Sequence, residues 1–335
     1  MEKTTLQDIS DYTGLSISTI SRILRGESGP NSVNVEKTID AAIKLKYPLN
    51  LNYLKNKYQF NSKTRIALIT TFFPSEFYAT LFSGLTEASD ETRFDVSFHH
   101  INLSKNNLLD YIKVLIANEI EGAILFLPTM DENLYENLIQ QLPSNFALIS
   151  VLPIQNPTID TITFDSYGGG YLVAQHFHQK GYLDLGIVNG PFDRNESLLR
   201  KNGFQDYISK HEELNLMWSY NGDFEYMDGF SAFAKYLSSK NKPRAIFCAN
   251  DVMCMSFLSK ATEYGIKIPD DLALTGFDDL PMCKYVHPAM TSVKTDYVAL
   301  GRKALNVLKS KLSGEEHHSG IQSLIPVSIS KRASS

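Results

Sequence analysis

The stretch LSISTISRIL, residues 15–24, places hydroxyl side chains and one arginine beside an apolar stripe. On a helix over 16–25, Ile20, Ile23 and Leu24 lie on one side. The other side carries small or polar residues with one exposed isoleucine: Ile17, Ser18, Ser21, Arg22 and Arg25. Such a face fits a DNA major groove, where hydroxyls and an arginine reach base edges and phosphates. A helical bundle with a solvated serine face explains this window equally well.

Short helices joined by turns surround that stretch. TTLQD predicts a helix start with Thr5 as the N-cap and Asp8 at the capping-box position, and Gly14 ends this helix. Ser16 then caps the second helix, and NVEKTIDAAIKLKY predicts a third. We therefore expect a three-helix domain over 1–47, followed by a polar hinge or linker over 48–63.

Strand and helix patterns alternate along the rest of the chain. Seven short apolar runs predict strands: RIALITT, FDVSFHH, EGAILFL, FALISV, DLGIVNG, RAIFCAN and LALTGFDD. Amphipathic helical stretches separate them, such as 78–91, 107–118 and 132–142. The alternation predicts parallel sheets covered on both faces, and seven strands exceed what one small sheet usually holds. We expect two sheets with a ligand cleft between them.

The composition indicates a globular chain inside the cell. It has 335 residues, of which 43% are hydrophobic, and its net charge is −5. Residues 1–60 hold eight Lys and Arg against six Asp and Glu, so the rest is acidic. This asymmetry permits a phosphate-facing N-terminal module. No signal peptide or membrane span is visible, and three cysteines without a CxxC pair indicate a reducing cytoplasm.

Metal, nucleotide and catalytic motifs are absent from the sequence. The pairs His99-His100 and His317-His318 have no third ligand at suitable spacing. Gly168-Gly169-Gly170 lacks the Gly-Lys-Ser/Thr of a phosphate loop, and we expect it to let a helix approach a neighbouring backbone. There is no GxSxG or HExxH. We therefore expect no cofactor, no metal and no enzymatic activity.

Longer motifs carry a family resemblance over essentially the whole chain. TTLQDISDYTGLSISTISRILRG and VNVEKTIDAAIKLKYPLN resemble the opening of the lactose/galactose repressor (LacI/GalR) family of bacterial transcription regulators. ITFDSYGGGYLVAQHFHQKGYLDLGIVNGP, AIFCANDVMCMSFLSKATEYGIKIPDDLALTGFDDLP and the terminal SISKRASS continue it in family order. The resemblance implies a helix-turn-helix DNA-binding domain followed by a periplasmic-binding-protein-like effector domain.

That effector domain would span 64–335 and consist of two parallel-sheet subdomains around a cleft. By the resemblance, the N-subdomain covers about 64–163 and 293–324. The C-subdomain covers about 164–292 and 325–335.

The resemblance also implies DNA contacts. Ile17, Ser18 and Arg22 would take the base-reading positions, with Ser21 on the same face. Ser16, Thr19 and Thr5 would lie at phosphate-contacting helix starts. Ile17 suits a thymine methyl, or it packs under a neighbouring loop.

The hinge departs from the usual family pattern. Here proline comes one place early, in YPLNLNYL, and the usual Ala-Arg pair is missing. Leu54 is the expected wedge in the minor groove and Asn50 a backbone contact, unless the segment is a disordered linker.

Ten residues carry over to the effector cleft, each at or beyond a predicted strand end: Phe77, Tyr78, Asp165, Arg194, Glu196, Arg200, Phe224, Asn250, Asp251 and Asp278. Arginine forks, carboxylates and aromatic rings are what polyol recognition requires. Alternatively, Asp251 caps the helix that begins at Val252, and Arg194 or Arg200 forms an ordinary surface pair. An anionic or phosphorylated sugar stays open.

The expected function is a repressor of a carbohydrate operon that binds double-stranded operator DNA as a homodimer and responds to a sugar-like effector. Two alternatives remain at this point. The body alone suits a sugar-binding receptor for a transporter, although the N-terminal helices argue against it. An enzyme would need a nucleophile and base that the motifs do not supply.

Overall fold

The structure is a computed structural model that describes residues 4–27, 33–49, 63–71, 75–128, 133–314 and 320–335. The chain divides into two compact units, Met1–Thr64 and Arg65–Ser335. We call them the helical unit and the α/β unit and describe each by itself.

The described residues of the helical unit contain three helices, and the first two begin with the caps that the sequence predicts. Their bounds are α1 (Leu6–Thr13), α2 (Ile17–Leu24) and α3 (Val33–Lys44). At the start of α1, the Asp8 backbone N–H donates to Thr5 Oγ1 over 3.3 Å, and the Thr5 N–H donates to Asp8 Oδ2 over 2.7 Å. Gly14 ends α1 in the left-handed region, with φ of 71°. The capping box and the Ser16 cap of α2 are thus confirmed.

The core of the helical unit is formed by apolar faces of the three helices. Ile9 of α1 packs with Ile20 of α2 and with Ala41 and Ala42 of α3. A second cluster joins Ile23 of α2 to α3. Because Ile20 and Ile23 take up the inner side of α2, the hydroxylated side remains on the surface of the helical unit.

The α/β unit contains two six-stranded sheets. The strands of the first sheet are β1 (Thr64–Thr70), β2 (Phe94–His100), β3 (Gly122–Phe126), β4 (Ala147–Ser150), β5 (Asp160–Phe164) and β11 (Gln322–Ile325). Those of the second are β6 (Asp184–Asn189), β7 (Asn215–Asn221), β8 (Ala245–Cys248), β9 (Ala273–Asp278), β10 (Thr291–Lys294) and β12 (Ser328–Ser330). The two expected sheets are present.

Helices connect and cover these strands. They are α4 (Glu76–Asp90), α5 (Leu108–Ala117), α6 (Asn133–Gln141), α7 (Ser166–Gln179), α8 (Asn195–Ser209), α9 (Tyr226–Ser238), α10 (Asp251–Glu263), a short 3-10 helix (Pro281–Lys284) and α11 (Tyr297–Ser313). Helices α7 and α8 pack so closely that a Cβ on Gly170 would collide with the Arg200 carbonyl oxygen. The expected close approach at the glycine triplet is therefore present.

In both sheets, the strands that follow the first one along the chain are added first on one side of it and then on the other. The first has the order β11-β5-β4-β3-β1-β2 and the second β12-β10-β9-β8-β6-β7. The chain thus switches side between β1 and β3 and again between β6 and β8. Loops leaving the carboxyl ends of adjacent strands at such a switch point diverge and open a crevice.

The structure adds to the strands that the sequence predicts and corrects their direction at one edge. Five strands, β5, β7, β10, β11 and β12, were not among the seven runs. The edge strand β12 pairs antiparallel with β10, so the second sheet is mixed. The chain passes between the sheets near 165, 295 and 326, and the subdomain boundaries given above stay predictions.

Candidate functional sites

The outer face of α2 presents the side chains that the sequence singled out. Ser18 and Arg22 are exposed, Thr19 and Ser21 are half-buried, and Ile17 is 42% exposed. The alternative in which Ile17 packs under a loop does not hold. An exposed isoleucine between hydroxyl groups and an arginine is a surface feature that water does not favour.

Hydroxyl groups cluster at the start of α2. Ser16 Oγ lies 2.9 Å from Ser18 Oγ and 2.8 Å from Thr19 Oγ1, and it accepts a hydrogen bond from the Thr19 N–H over 3.2 Å. Thr5, at the start of α1, is exposed as well. These two helix starts direct backbone and side-chain donors outward, which is the chemistry that holds phosphates. Asn50 and Leu54 lie outside the described residues.

A cavity of about 690 Å³ lies between the two sheets of the α/β unit, at the carboxyl ends of the strands. Its walls include loops that follow β1, β3, β6 and β8, the four strands that flank the two switch points. Eight of the ten predicted effector residues line it: Phe77, Tyr78, Arg194, Glu196, Arg200, Phe224, Asn250 and Asp278.

Arg200 and Asp278 form a buried ion pair on the wall formed by the second sheet. Arg200 Nη2 lies 3.3 Å from Asp278 Oδ1, and Nη1 donates to the Ala249 carbonyl over 2.6 Å. The guanidinium carbon lies 3.7 Å from the centroid of the Phe277 ring. Burial raises the pKa of Asp278 to about 6, although the Arg200 charge opposes that rise. Both side chains are thus fixed before any ligand arrives.

Asn250 fixes Phe224 on the same wall. Its Nδ2 donates to the Phe224 carbonyl over 3.0 Å, while its Oδ1 accepts from the Met253 N–H and so caps α10. Phe224 has a φ of 67°, a conformation that costs free energy for a residue with a side chain. A Cβ on Gly190 would collide with the Phe224 ring, so only glycine leaves the ring room there. The ring position is therefore built by several elements at once.

Arg194 and Glu196 add two more charged groups to this wall. The Arg194 guanidinium carbon lies 5.8 Å from the centroid of the Phe224 ring, and its Nε is buried without a hydrogen-bond partner among the described residues. Burial raises the pKa of Glu196, while the charges of Arg200 and Arg194 lower it. The alternative prediction, in which Arg194 or Arg200 forms an ordinary surface pair, does not fit these positions.

The described part of the wall formed by the first sheet is rich in aromatic rings and carries no carboxylate, lysine or arginine. Phe77 contacts Tyr78, Phe126 and Tyr297 with ring centroids 5.4, 5.5 and 6.0 Å away. Burial raises the pKa of Tyr78. A hydrogen bond with Thr70 and the charge of Arg194 lower this pKa, whereas the charges of Glu225 and Glu196 raise it; these three charges belong to the other wall. Tyr78 thus interacts electrostatically with charged groups of the opposite wall.

Asp165 and Asp251 do not line the cavity. Asp165 caps α7, where its Oδ1 accepts from the Gly168 N–H over 2.8 Å. Asp251 is 0% exposed and accepts hydrogen bonds from the Leu280 N–H, Cys283 Sγ and Ser292 Oγ. It does not cap α10 either, since Asn250 does. Both carboxylates hold the loops around the cavity in place, which corrects their expected contact with an effector.

Several lining residues were not predicted from the sequence. Asp223 and Glu225 flank Phe224 in GDFEY, His100 ends β2, and Asn102 and Ser104 follow it. Phe126, Phe164 and Tyr297 add aromatic surface. The available signal was position, because each lies near the carboxyl end of a strand or at the start of the following helix.

The described residues hold no helix that combines the length and apolar character needed to cross a bilayer. Within the same ranges, no group of three or more His, Cys, Asp and Glu side chains is arranged to hold a metal ion.

Fold and cavity define a two-lobed ligand-binding module attached to a helix-turn-helix unit. Residues 174–335 match the family described as a periplasmic binding protein-like domain. The chain is 22% identical over 330 residues to the HTH-type transcriptional repressor PurR of Photobacterium profundum, covering 98% of each chain. It is 26% identical over 341 residues to PurR of Proteus mirabilis, covering 98% of this chain and 96% of the relative.

Solved structures have the same fold. The lac repressor dimer bound to operator and the anti-inducer ONPF matches with a TM-score of 0.78 at 22% identity, over 99% of each chain. The complex of the transcriptional regulator CelR with cellobiose matches with a TM-score of 0.70 at 20% identity, over 99% of this chain and 100% of that one. The chain is thus similar over nearly its whole length to transcriptional repressors that resemble the LacI/GalR family, and the predicted fold class is confirmed.

Proposed function

We propose that the chain represses transcription of a carbohydrate-utilisation operon by binding operator DNA, with an affinity that a small molecule in the cavity controls. The observation that carries the DNA-binding half is the outer face of α2. An exposed isoleucine beside serines and an arginine has a use against a thymine methyl and costs free energy in water otherwise. The names of the curated relatives, which are repressors, support the same reading.

On the DNA side, Ile17, Ser18 and Arg22 read base edges in the major groove, with Ser21 beside them. Thr5, Ser16 and Thr19 hold phosphates and so fix the register of the helix. Asn50 and Leu54, in the hinge, contact the backbone and the minor groove. One such helix reads too few base pairs for a unique site, so the regulator acts as a homodimer on a two-fold symmetric operator in the cytoplasm.

On the ligand side, the cavity suits a polyol. Asp278 and Arg200 give and take hydroxyl hydrogen bonds, and Asn250 and Glu196 extend that set. Phe77 and Phe224 supply apolar faces against which a sugar ring packs. We therefore propose a sugar or sugar phosphate as the effector. The structure of CelR with cellobiose is a precedent in a protein of the same fold.

Ligand and DNA are coupled through the arrangement of the two lobes. A ligand that contacts both walls favours the arrangement in which they are close. It alters operator affinity only to the extent that this arrangement presents the helical units of the dimer differently.

The test begins with the full chain and a random pool of duplexes. Selected duplexes should share a near-palindromic site whose affinity falls steeply with salt. A thermal-shift screen of sugars then identifies the effector, because a ligand specific to the folded state raises the apparent stability. A chain that binds a sugar but enriches no duplex would be a receptor rather than a regulator.

A further inference from the structure

The described lining of the cavity carries an excess of negative charge. Two arginines, Arg194 and Arg200, face four carboxylates, and no lysine is present in that part of the lining. The carboxylates belong to Glu196, Asp223, Glu225 and Asp278. A ligand that enters this cavity therefore meets two more carboxylate groups than guanidinium groups.

All six groups lie on the wall formed by the second sheet. They come from the start of α8, the loop after β7 and the end of β9. The described part of the opposite wall offers hydroxyl, amide, imidazole and aromatic groups, including Tyr78, His100 and Asn102. Among the described lining residues, a charged substituent on the ligand is thus attracted or repelled by arginines and carboxylates of the second-sheet wall.

Arg200 is already committed within this wall. Its two terminal nitrogens bond to the Ala249 carbonyl and to Asp278, and its planar face lies on the Phe277 ring. A phosphate that took the Arg200 nitrogen bonded to Asp278 would have to displace that carboxylate, which is itself buried. Displacement would leave that carboxylate without its partner, which is costly.

Arg194 is the remaining guanidinium, and the described lining carries the carboxylates of Glu196 and Glu225 on the same wall. The Tyr78 hydroxyl lies within electrostatic range of Arg194, Glu196 and Glu225 together. Glu196 itself responds to Arg194 and lies two residues away in the chain. A phosphate at Arg194 would therefore be close to two like charges, whereas an ammonium group would be attracted by them.

We propose that the cavity selects an effector without negative charge, that an ammonium substituent strengthens binding, and that Glu196 sets this selectivity. The selectivity rests on the proposed polyol effector and narrows it, because it excludes phosphorylated sugars. Asp223 and Glu225 are exposed at the cavity edge, so they contribute an attraction that salt screens. Glu196 lies deeper, where screening is weaker.

Matched sugars test the charge preference directly. Binding of D-glucose, D-glucosamine and D-glucose 6-phosphate, and of the three galactose counterparts, is measured by calorimetry on the full chain. In the series that binds, we expect the amino sugar to bind at least about threefold more tightly and the phosphate at least about tenfold more weakly than the neutral sugar. A phosphate that binds most tightly overturns the inference and leaves the proposed regulator intact.

Variants assign the selectivity to one residue. Glu196→Gln should remove the advantage of the amino sugar over the neutral sugar, whatever its effect on the affinity for the neutral sugar itself. Glu212→Gln, which removes an exposed carboxylate just beyond α8, is the matched control and should change neither. If Glu196→Gln does not fold, Asp223→Asn should reduce the same advantage to a smaller extent. Equal selectivity in Glu196→Gln and the control contradicts the role of Glu196.

Absence of binding by all six sugars, in a chain that still binds selected duplex DNA, overturns the polyol effector and this inference with it. DNA binding is measured separately, so these failures are distinguishable.

Discussion

The outer face of α2 and the cavity of the α/β unit differ in how they hold charge. Among the described residues of the helical unit, no Asp, Glu, His, Lys or Arg side chain is buried. The described residues of the α/β unit include five that are buried: Asp160, His176, Arg200, Asp251 and Asp278. Exposed charges cost little to remove, whereas buried pairs are expensive to break. Function and stability should therefore separate in the helical unit and be linked in the cavity.

Arg200→Ala should give the largest effect on both properties. It leaves Asp278 and the Ala249 carbonyl buried without their donor. We expect the free energy of unfolding to fall by about 3 kcal/mol and the response to the effector to disappear. Urea denaturation and sugar titration measure these changes.

Lys201→Ala, at the neighbouring position, is the control and should keep both properties. If Arg200→Ala were as stable as Lys201→Ala, the link between function and stability in the cavity would be wrong.

Arg22→Ala should change function alone. Loss of a base contact weakens DNA binding by about 1–3 kcal/mol. Because Arg22 is exposed, the free energy of unfolding should stay within about 0.5 kcal/mol of the parent. Fluorescence anisotropy with the selected duplex and urea denaturation give the two numbers. Lys303→Ala removes an exposed charge from α11 and should alter neither; equal DNA affinity of the two variants would count against α2.

Acid should act through buried His176 of the α/β unit. Burial lowers the pKa of His176 from 6.5 to about 4, so below pH 6.5 the unfolded chain binds a proton that the folded chain refuses. The stability associated with neutral His176 is complete above pH 6.5 and is lost as the pH falls towards 4.

His176→Gln, which can keep the contact with Ser335 Oγ, should flatten this decline by an amount on the order of 1 kcal/mol. Urea denaturation between pH 4 and 7 measures it, with exposed His287→Gln as control. A decline that is equally steep in both variants would contradict the role of His176.

Glu76 is half-buried, between exposed charges such as Arg22 and buried charges such as Arg200. Its substitution should have the smallest effect. Its Oε1 accepts a hydrogen bond from the Met282 N–H over 3.1 Å, which joins α4 to the 3-10 helix beside the second sheet. Glu76→Gln keeps an acceptor, so effector affinity should change less than about threefold. Glu76→Ala removes the acceptor and should weaken the binding free energy of the effector by about 1 kcal/mol. Calorimetry that found the two variants equally impaired would exclude this hydrogen bond as the cause.

The same difference explains what the sequence could predict. The helical unit is built from local signals, since the Thr5 and Ser16 caps and the period of α2 lie within a few residues of one another. Its described helices and the exposed face could therefore be predicted from the residues themselves. The hinge contacts at Asn50 and Leu54 stay predictions.

The cavity depends on contacts between distant parts of the chain. Family resemblance placed eight residues on its walls. Tyr297 and Asn102 line it as well, but packing between distant parts of the chain brings them there. Asp251 follows a strand as the lining residues do, but the loop at Leu280 folds back and buries it. Short strands such as β12 have too few residues to show an alternating hydrophobic pattern. Pairing within the sheet, rather than local sequence preference, stabilises them.

The most direct test measures the affinity of the full chain for its selected duplex with and without the sugar found by thermal shift. We expect the sugar to change the wild-type affinity at least about fivefold. Arg200→Ala should bind the duplex without responding to the sugar, and Arg22→Ala should bind the sugar without the duplex. A full chain that prefers no duplex at any sugar concentration, or an Arg22→Ala variant with undiminished DNA affinity, would contradict the account.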